Sequence, residues 1–224
     1  MSDVAPPSAG RLACWRLGEP IDRVRRHLDA GGVLAIPTES SYGLAVDPRN
    51  PRGVEAIYRL KARDRGNPLP VVVSDIAQLS MLGVDLQDPS LGRLAHHWPA
   101  ALTWIASIPT PLPATASMRT VAVRVPAHDP LRQLLATLGH PLTATSANLS
   151  GTPAVCSIDG LSDLATVGRP QLLVMTDDLG TDSPDPLPGG PPSTLVRWSD
   201  SAGRFEVLRC GRFDPALLDA SLSE

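Results

Sequence analysis

Short runs of β-branched and aliphatic residues alternate along this chain with stretches whose apolar residues recur every third or fourth position. That alternation restricts the fold more than any other feature. "VLAIP" (33–37), "LPVVVS" (69–74), "LTWIAS" (102–107), "TVAVRVP" (120–126), "PLTATS" (141–146), "QLLVMT" (171–176) and "TLVRW" (194–198) read as strands. Between them, Ile21, Val24 and Leu28 keep helical spacing until Gly31-Gly32 ends the run, and Asn50-Pro51 is a cap followed by a first-turn proline. Further helical patterns follow Asp88, follow Asp129 and occupy residues 158–166. Strands separated by helices bury their apolar faces when the helices pack on the sheet, so the expected class is α/β, a twisted mixed sheet with flanking helices. There is no internal repeat. The segment "TDSPDPLPGGPPS" (181–193) is too rich in Pro and Gly to form an element and is long enough for a lid or a linker.

Composition removes several classes of function. With 42% hydrophobic and 19% charged residues over 224 positions, the chain is that of an ordinary globular domain. No run of about 18 apolar residues and no signal-like start is seen, so neither a membrane span nor export is expected, and the default address is cytoplasmic. Cys14, Cys156 and Cys210 lie far apart without CxxC spacing, which suggests neither a disulfide framework nor a zinc site; adjacent His96 and His97 point to different faces, and no metal ligand set emerges. A net charge of −3 argues against binding nucleic acid by bulk electrostatics. The charge is uneven, +3 over residues 1–65 and −6 over 66–224, which fits either a solvated charged face or an anionic ligand near the first third.

Lys61 is the only lysine, against nineteen arginines. It shares a helical face with Val54 and Ile57, where a third apolar residue is expected, so its stem snorkels along that face or its ammonium meets a partner. Arg59, Arg63 and Arg65 lie in the same seven residues, ahead of the turn Gly66-Asn67-Pro68, and four cations converging on one helix end would suit a polyphosphate. No GxxxxGK[ST], GxGxxG or GxSxG is present, which removes the P-loop, the dinucleotide fold and the nucleophile elbow. Instead, "ATSANLSG" (144–151) gathers Thr145, Ser146, Asn148 and Ser150 at a strand end; a capping turn explains one or two of them, not all. "PTESSYGL" (37–44) and "PPST" (191–194) have the same character. Arg124 inside "VAVRVP" requires an anionic partner, and a structural carboxylate and a ligand fit equally well.

Taken in order, "IPTESSYGLAVDP", "YRLKARDRGNPLPVVV", "WPAALT", "TVAVRVPAHDPL", "PLTATSANLSG" and "PPSTLVRW" resemble the motifs of the YrdC-like family of L-threonylcarbamoyladenylate synthases, over residues 20 to 210 or so. The resemblance implies the YrdC-like fold with a concave basic face, a catalytic domain at 20–212, an N-terminal extension at 1–19 and a tail or short helix at 213–224. It implies synthesis of threonylcarbamoyl-AMP and pyrophosphate from L-threonine, bicarbonate and ATP, with Mg²⁺ accompanying ATP and no metal held by the protein itself. Downstream tRNA threonylcarbamoyl-transferase proteins would be the partners, and weak binding of double-stranded RNA is a further expectation. By motif, Lys61 and Arg63 would act on the ATP phosphates, Thr120, Ser146, Asn148 and Ser193 would line the nucleotide site, and Thr38 and Arg124 would bind threonine. The chain departs from the family at Ala100-Ala101, where Gly-Pro is usual, at Asp64, commonly Pro, and at Arg197, often an acid. Asp64 is expected to lower the positive potential beside it. An RNA-binding or ribosome-maturation protein of the same fold, and a sister enzyme carbamoylating another acceptor, are the alternatives.

Overall fold

The computed structural model describes residues 12–166, 172–176 and 187–220. In chain order its elements are β1 (Ala13–Arg16), α1 (Asp22–Asp29), β2 (Val33–Pro37), β3 (Tyr42–Ala45), α2 (Pro51–Lys61), β4 (Val71–Val72), α3 (Pro89–Ala95), β5 (Leu102–Ser107), β6 (Thr120–Arg124), α4 (Asp129–Leu138), β7 (Leu142–Thr143), β8 (Thr145–Ser146), α5 (Ile158–Thr166), β9 (Leu172–Thr176), β10 (Thr194–Ser199), β11 (Arg204–Arg209) and α6 (Ala216–Ala220). Short 3₁₀ turns sit at Ala77–Leu82 and Pro113–Thr115.

These strands form two mixed sheets where one was expected, ordered β1-β9-β2-β3-β8 and β11-β10-β5-β6-β4-β7. The cause lies in "PLTATS", which is not a continuous strand: β7 pairs antiparallel with β4 in the second sheet, while β8 pairs antiparallel with β3 in the first. The chain changes sheets at Ala144, whose N–H donates to Pro70 O at 2.8 Å. Thr143 fastens the seam. Fully buried, it donates its backbone N–H to Val46 O and accepts from the Val46 N–H through Oγ1 at 3.1 Å. A buried hydroxyl is stable only with such partners.

Strand β2 is buried at all five positions, because helices pack on both of its faces, joined on one of them by Val72 and Leu142 of the second sheet. Val33 and Ala35 pack with Val54 and Ile57 of α2 and with Leu161 and Leu164 of α5. The alternate residues Leu34 and Ile36 pack with Val24 and Leu28 of α1 and with the leucines of α4. This period-two division is what a doubly covered strand requires. Trp98, Trp104 and Leu102 anchor a separate cluster on the second sheet, against α3.

Helix starts follow the sequence signals closely. Asn50 accepts from the Arg52 and Gly53 N–H groups, and Asp88 accepts from Ser90. Gly53 is needed as a glycine, since a Cβ there would lie 2.9 Å from Val46 Cβ. The helix expected after Asp129 begins at that residue, its cap supplied one position earlier by His128 Nδ1, which accepts from Leu131 N–H. Ala13–Arg16, within the stretch expected to precede the domain, pairs parallel with β9. Of the lid candidate 181–193, residues 181–186 lie outside the described residues.

Candidate active site

Residues from both sheets bound a cavity of about 580 Å³. One wall is the loop after β2. There Thr38 Oγ1 donates to Ser41 O at 2.7 Å and accepts from the Ser40 N–H, a hydroxyl turn that closes the loop on itself. A second wall is the loop after β8, where Ser146 Oγ donates to Asn148 Oδ1 at 2.6 Å and Asn148 Nδ2 donates to Thr152 O. The third is the segment entering β10, where the hydroxyls of Ser193 and Thr103 lie 2.8 Å apart.

Six of the eight residues singled out by motif line this cavity: Thr38, Arg63, Arg124, Ser146, Asn148 and Ser193. Two do not. Thr120 sits on the same face of β6 as Ala122 and Arg124, but beyond the cavity lining. Lys61 lies behind the wall, with 2% of its surface exposed. Its ammonium donates to Ser146 O, to Asn148 O at 3.0 Å and to Asn148 Oδ1 at 2.7 Å. Burial, with a smaller contribution from the Arg63 charge, lowers its pKa from 10.5 to about 8. The ammonium thus has three acceptors for its three protons, which settles the choice between snorkelling and partnership.

The four cations near the end of α2 do not converge. Arg59 and Arg65 both pair with Glu55, whose carboxyl they hold down to about 2, while Lys61 turns to the β8 loop. Only Arg63 reaches the cavity, its guanidinium steadied by the carbonyls of Asn67 and Pro68. Asp64, expected to weaken the local positive potential, is exposed, accepts from the Gly66 N–H at 2.9 Å and does not line the cavity. Arg197 pairs with Glu206, its opposite number across β10 and β11, at 2.8 Å.

Arg124 has the anionic partner that its place in the strand requires and still reaches the cavity. It lines the cavity, and its Nη1 donates to Oε1 of Glu39, the two side chains being 12% and 13% exposed. The other carboxylate oxygen of Glu39 is buried without a hydrogen-bond partner. Sequence reasoning missed Glu39, and it missed Arg209 of β11, which lines the cavity and donates to Ser193 O at 3.0 Å. Burial and the neighbouring Arg124 charge lower the Arg209 pKa, so this cation lacks full compensation. Arg63, Arg124 and Arg209 face the cavity, and none of its described lining residues is an Asp or Glu. An anionic ligand is what such a surface stabilises. Among the described residues no group of three or more His, Cys, Asp or Glu could hold a metal ion, and no helix is long and apolar enough to cross a membrane.

The Sua5/YciO/YrdC family model, described as telomere recombination, matches residues 26–211. A threonylcarbamoyl-AMP synthase of Thiobacillus denitrificans is 42% identical over 131 residues, covering 57% of this chain and 70% of the relative. One from Alkalilimnicola ehrlichii is 35% identical over 187 residues, covering 81% and 94%. The crystal structure of P. abyssi Sua5 complexed with L-threonine superposes with a TM-score of 0.75 at 25% identity; the match covers 96% of this chain, which spans 61% of that longer one.

Proposed function

Since the chain belongs to the Sua5/YciO/YrdC family, we propose that it makes L-threonylcarbamoyladenylate from L-threonine, bicarbonate and ATP, releasing pyrophosphate. The observation that carries this reading is the meeting of three hydroxyl-rich loops and three arginines at one cavity, with most of the motif residues on its walls. Relatives named threonylcarbamoyl-AMP synthase support the same reading.

In this reading the threonine carboxylate lies on Arg124 with Thr38 beside it, and ATP lies along Arg63, Ser146, Asn148 and Ser193. The threonine amine and bicarbonate combine with loss of water to give a carbamate. A carbamate oxygen then attacks the α-phosphorus, and the bond to the β-phosphate oxygen breaks to release pyrophosphate. Such chemistry needs alignment and charge stabilisation and no side-chain nucleophile. Arg63 and Arg209 stabilise the charge on the phosphates. Lys61 contributes through the loop it holds, so of the two residues expected at the phosphates, Lys61 and Arg63, the direct contact is left to Arg63. Thr120 is left outside the site.

Mg²⁺ enters in this reading as part of the nucleotide substrate: none of the cavity's described lining residues is an Asp or Glu, and Glu39, between the lining residues Thr38 and Ser40, is committed to Arg124. The catalytic unit is read as 20–212 with β1 added to its sheet, and 213–224 as a C-terminal tail or short helix, of which Ala216–Ala220 is α6 and 221–224 lie outside the described residues. A cytoplasmic address and the company of tRNA threonylcarbamoyl-transferase proteins belong to the same reading. Incubation with labelled threonine, bicarbonate and ATP, with mass detection of the adenylate, is the test. Pyrophosphate release that ignores threonine and bicarbonate would refute the proposal.

A further inference from the structure

Glu39 is gripped at both ends. Arg124 holds its carboxylate, and Nη1 of Arg212 donates to its backbone carbonyl at 3.0 Å. The second terminal nitrogen of Arg212 donates to Gly189 O at 2.9 Å, and the Gly189 N–H donates to Ser40 O at 2.8 Å. One guanidinium fork therefore spans two segments: the loop 38–41 after β2 of the first sheet, and residues 187–193 leading into β10 of the second. Both segments face the cavity, through Thr38 and Ser40 on one side and Gly190 and Ser193 on the other.

The fork is placed with little freedom. The Arg212 N–H donates to Pro192 O at 2.9 Å, and the Gly211 N–H donates to Thr194 Oγ1 at the same distance. A Cβ on Gly211 would lie 2.1 Å from Pro192 O, so the approach requires glycine. Gly190, at φ +96°, leaves room for the guanidinium; a Cβ there would lie 3.2 Å from Arg212 Nη2. Among the described residues no carboxylate pairs with Arg212, and it does not line the cavity itself. Its two terminal nitrogens serve two carbonyls, on segments that adjoin strands of different sheets.

We propose that Arg212 is a positioning residue for the amino-acid half of the site: by locking loop 38–41 to segment 187–193 it fixes Thr38 and, through Glu39, Arg124. This rests on the threonylcarbamoyladenylate reading for its substrate, though not for the lock itself. A fork that spans two carbonyls preorganises both walls before substrate arrives. A lysine ammonium is a point donor on a flexible stem and cannot reproduce the span.

The experiment compares the whole chain with Arg212→Ala and Arg212→Lys, by amide hydrogen exchange, chemical denaturation and steady-state kinetics. In Arg212→Ala the Gly189 amide should exchange roughly tenfold faster, the scale set by one charge-assisted hydrogen bond at an exposed position. Threonine KM should rise roughly tenfold with kcat within about twofold, the pattern of lost ground-state and transition-state binding together. Arg212→Lys should fall between. Wild-type threonine KM in a folded Arg212→Ala overturns the proposal, as does an equal loss for threonine and ATP accompanied by a lowered denaturation midpoint in both variants. If the unaltered chain releases no threonine-dependent pyrophosphate, the functional reading fails, and the exchange rate of Gly189 alone still decides whether Arg212 locks the two segments.

Discussion

Lys61 Nζ lies 2.7 Å from Asn148 Oδ1, so the last residue of α2 is tied to the loop that follows β8. With Ser146 O and Asn148 O it makes three acceptors around one ammonium. A planar guanidinium has its donors in a fork, whereas an ammonium directs three donors from a single point into a small space. This geometry accounts for the single lysine in a chain otherwise supplied with arginine.

Lys61→Ala leaves those acceptors without their donor at a buried position. The variant should lose about 2 to 5 kcal/mol of stability, read from urea denaturation, as for the breaking of a buried charged contact. Its ATP KM should rise as the 146–148 loop loosens. Lys61→Arg forces a larger group into the same space and should cost about 1 to 3 kcal/mol. An alanine variant with wild-type stability would mean that the loop stands unaided.

The same residue sets a pH dependence. Burial and Arg63 lower the folded-state pKa from 10.5 to about 8, so across that window the unfolded chain retains a proton that the folded protein has released. Stability then rises with pH through this group, from about 8 to 10.5, and the gain is lost again as pH falls through 8. Activity should move the other way, since the neutral amine has one proton fewer for its acceptors. A titration of kcat/KM for ATP should decline above pH 8 or so in the parent chain and be flat there in Lys61→Ala.

How much of this was legible in the sequence differs from element to element. Strand β2 and helix α2 were, because a continuous apolar run and an Asn-Pro start are local signals. β3 was hidden inside "PTESSYGL", whose hydroxyls drew attention to the loop before it. β11, "RFEVLR", is exposed at four of its six positions and has no clean alternation. Missing β11 meant missing Arg209. The sheet change at Ala144 could not be read either, as "PLTATS" looks like one strand until Thr143 and Thr145 are seen to pair with different partners. Glu39 carries no local signal within "PTESSYGL", because its partner Arg124 lies 85 positions away.

Asn148→Asp separates the two duties of that side chain. Its oxygen toward Lys61 is kept, now charged and paired with the ammonium, while the donation from Nδ2 to Thr152 O is lost. A carboxylate on the cavity wall would repel the phosphates; like charges ~4 Å apart cost about 1 to 4 kcal/mol between bulk water and a protein surface. ATP KM should therefore rise roughly tenfold or more, with threonine KM little changed. Equal ATP KM in the two proteins would place the phosphates away from Asn148.

The pair Arg124 and Glu39 carries the sharpest prediction, since stability and threonine binding converge on one guanidinium. Arg124→Ala alone leaves the Glu39 carboxylate buried and unpaired, and such truncations cost about 3 to 5 kcal/mol. Adding Glu39→Gln removes the stranded charge, so the double variant should regain part of that loss, with a coupling energy of about 0.5 to 3 kcal/mol. Threonine affinity should not return with it. If the substrate carboxylate rests on Arg124, both variants bind threonine more weakly by about 2 to 5 kcal/mol, a factor of roughly 30 to several thousand, while ATP binding changes far less. Chemical denaturation of these two variants and of Glu39→Gln alone, beside calorimetric titration of threonine, gives both quantities. Recovery of threonine affinity in step with stability would reduce Arg124 to a structural partner of Glu39 and leave the substrate carboxylate to Arg209, which lies beside Ser193 on the cavity wall.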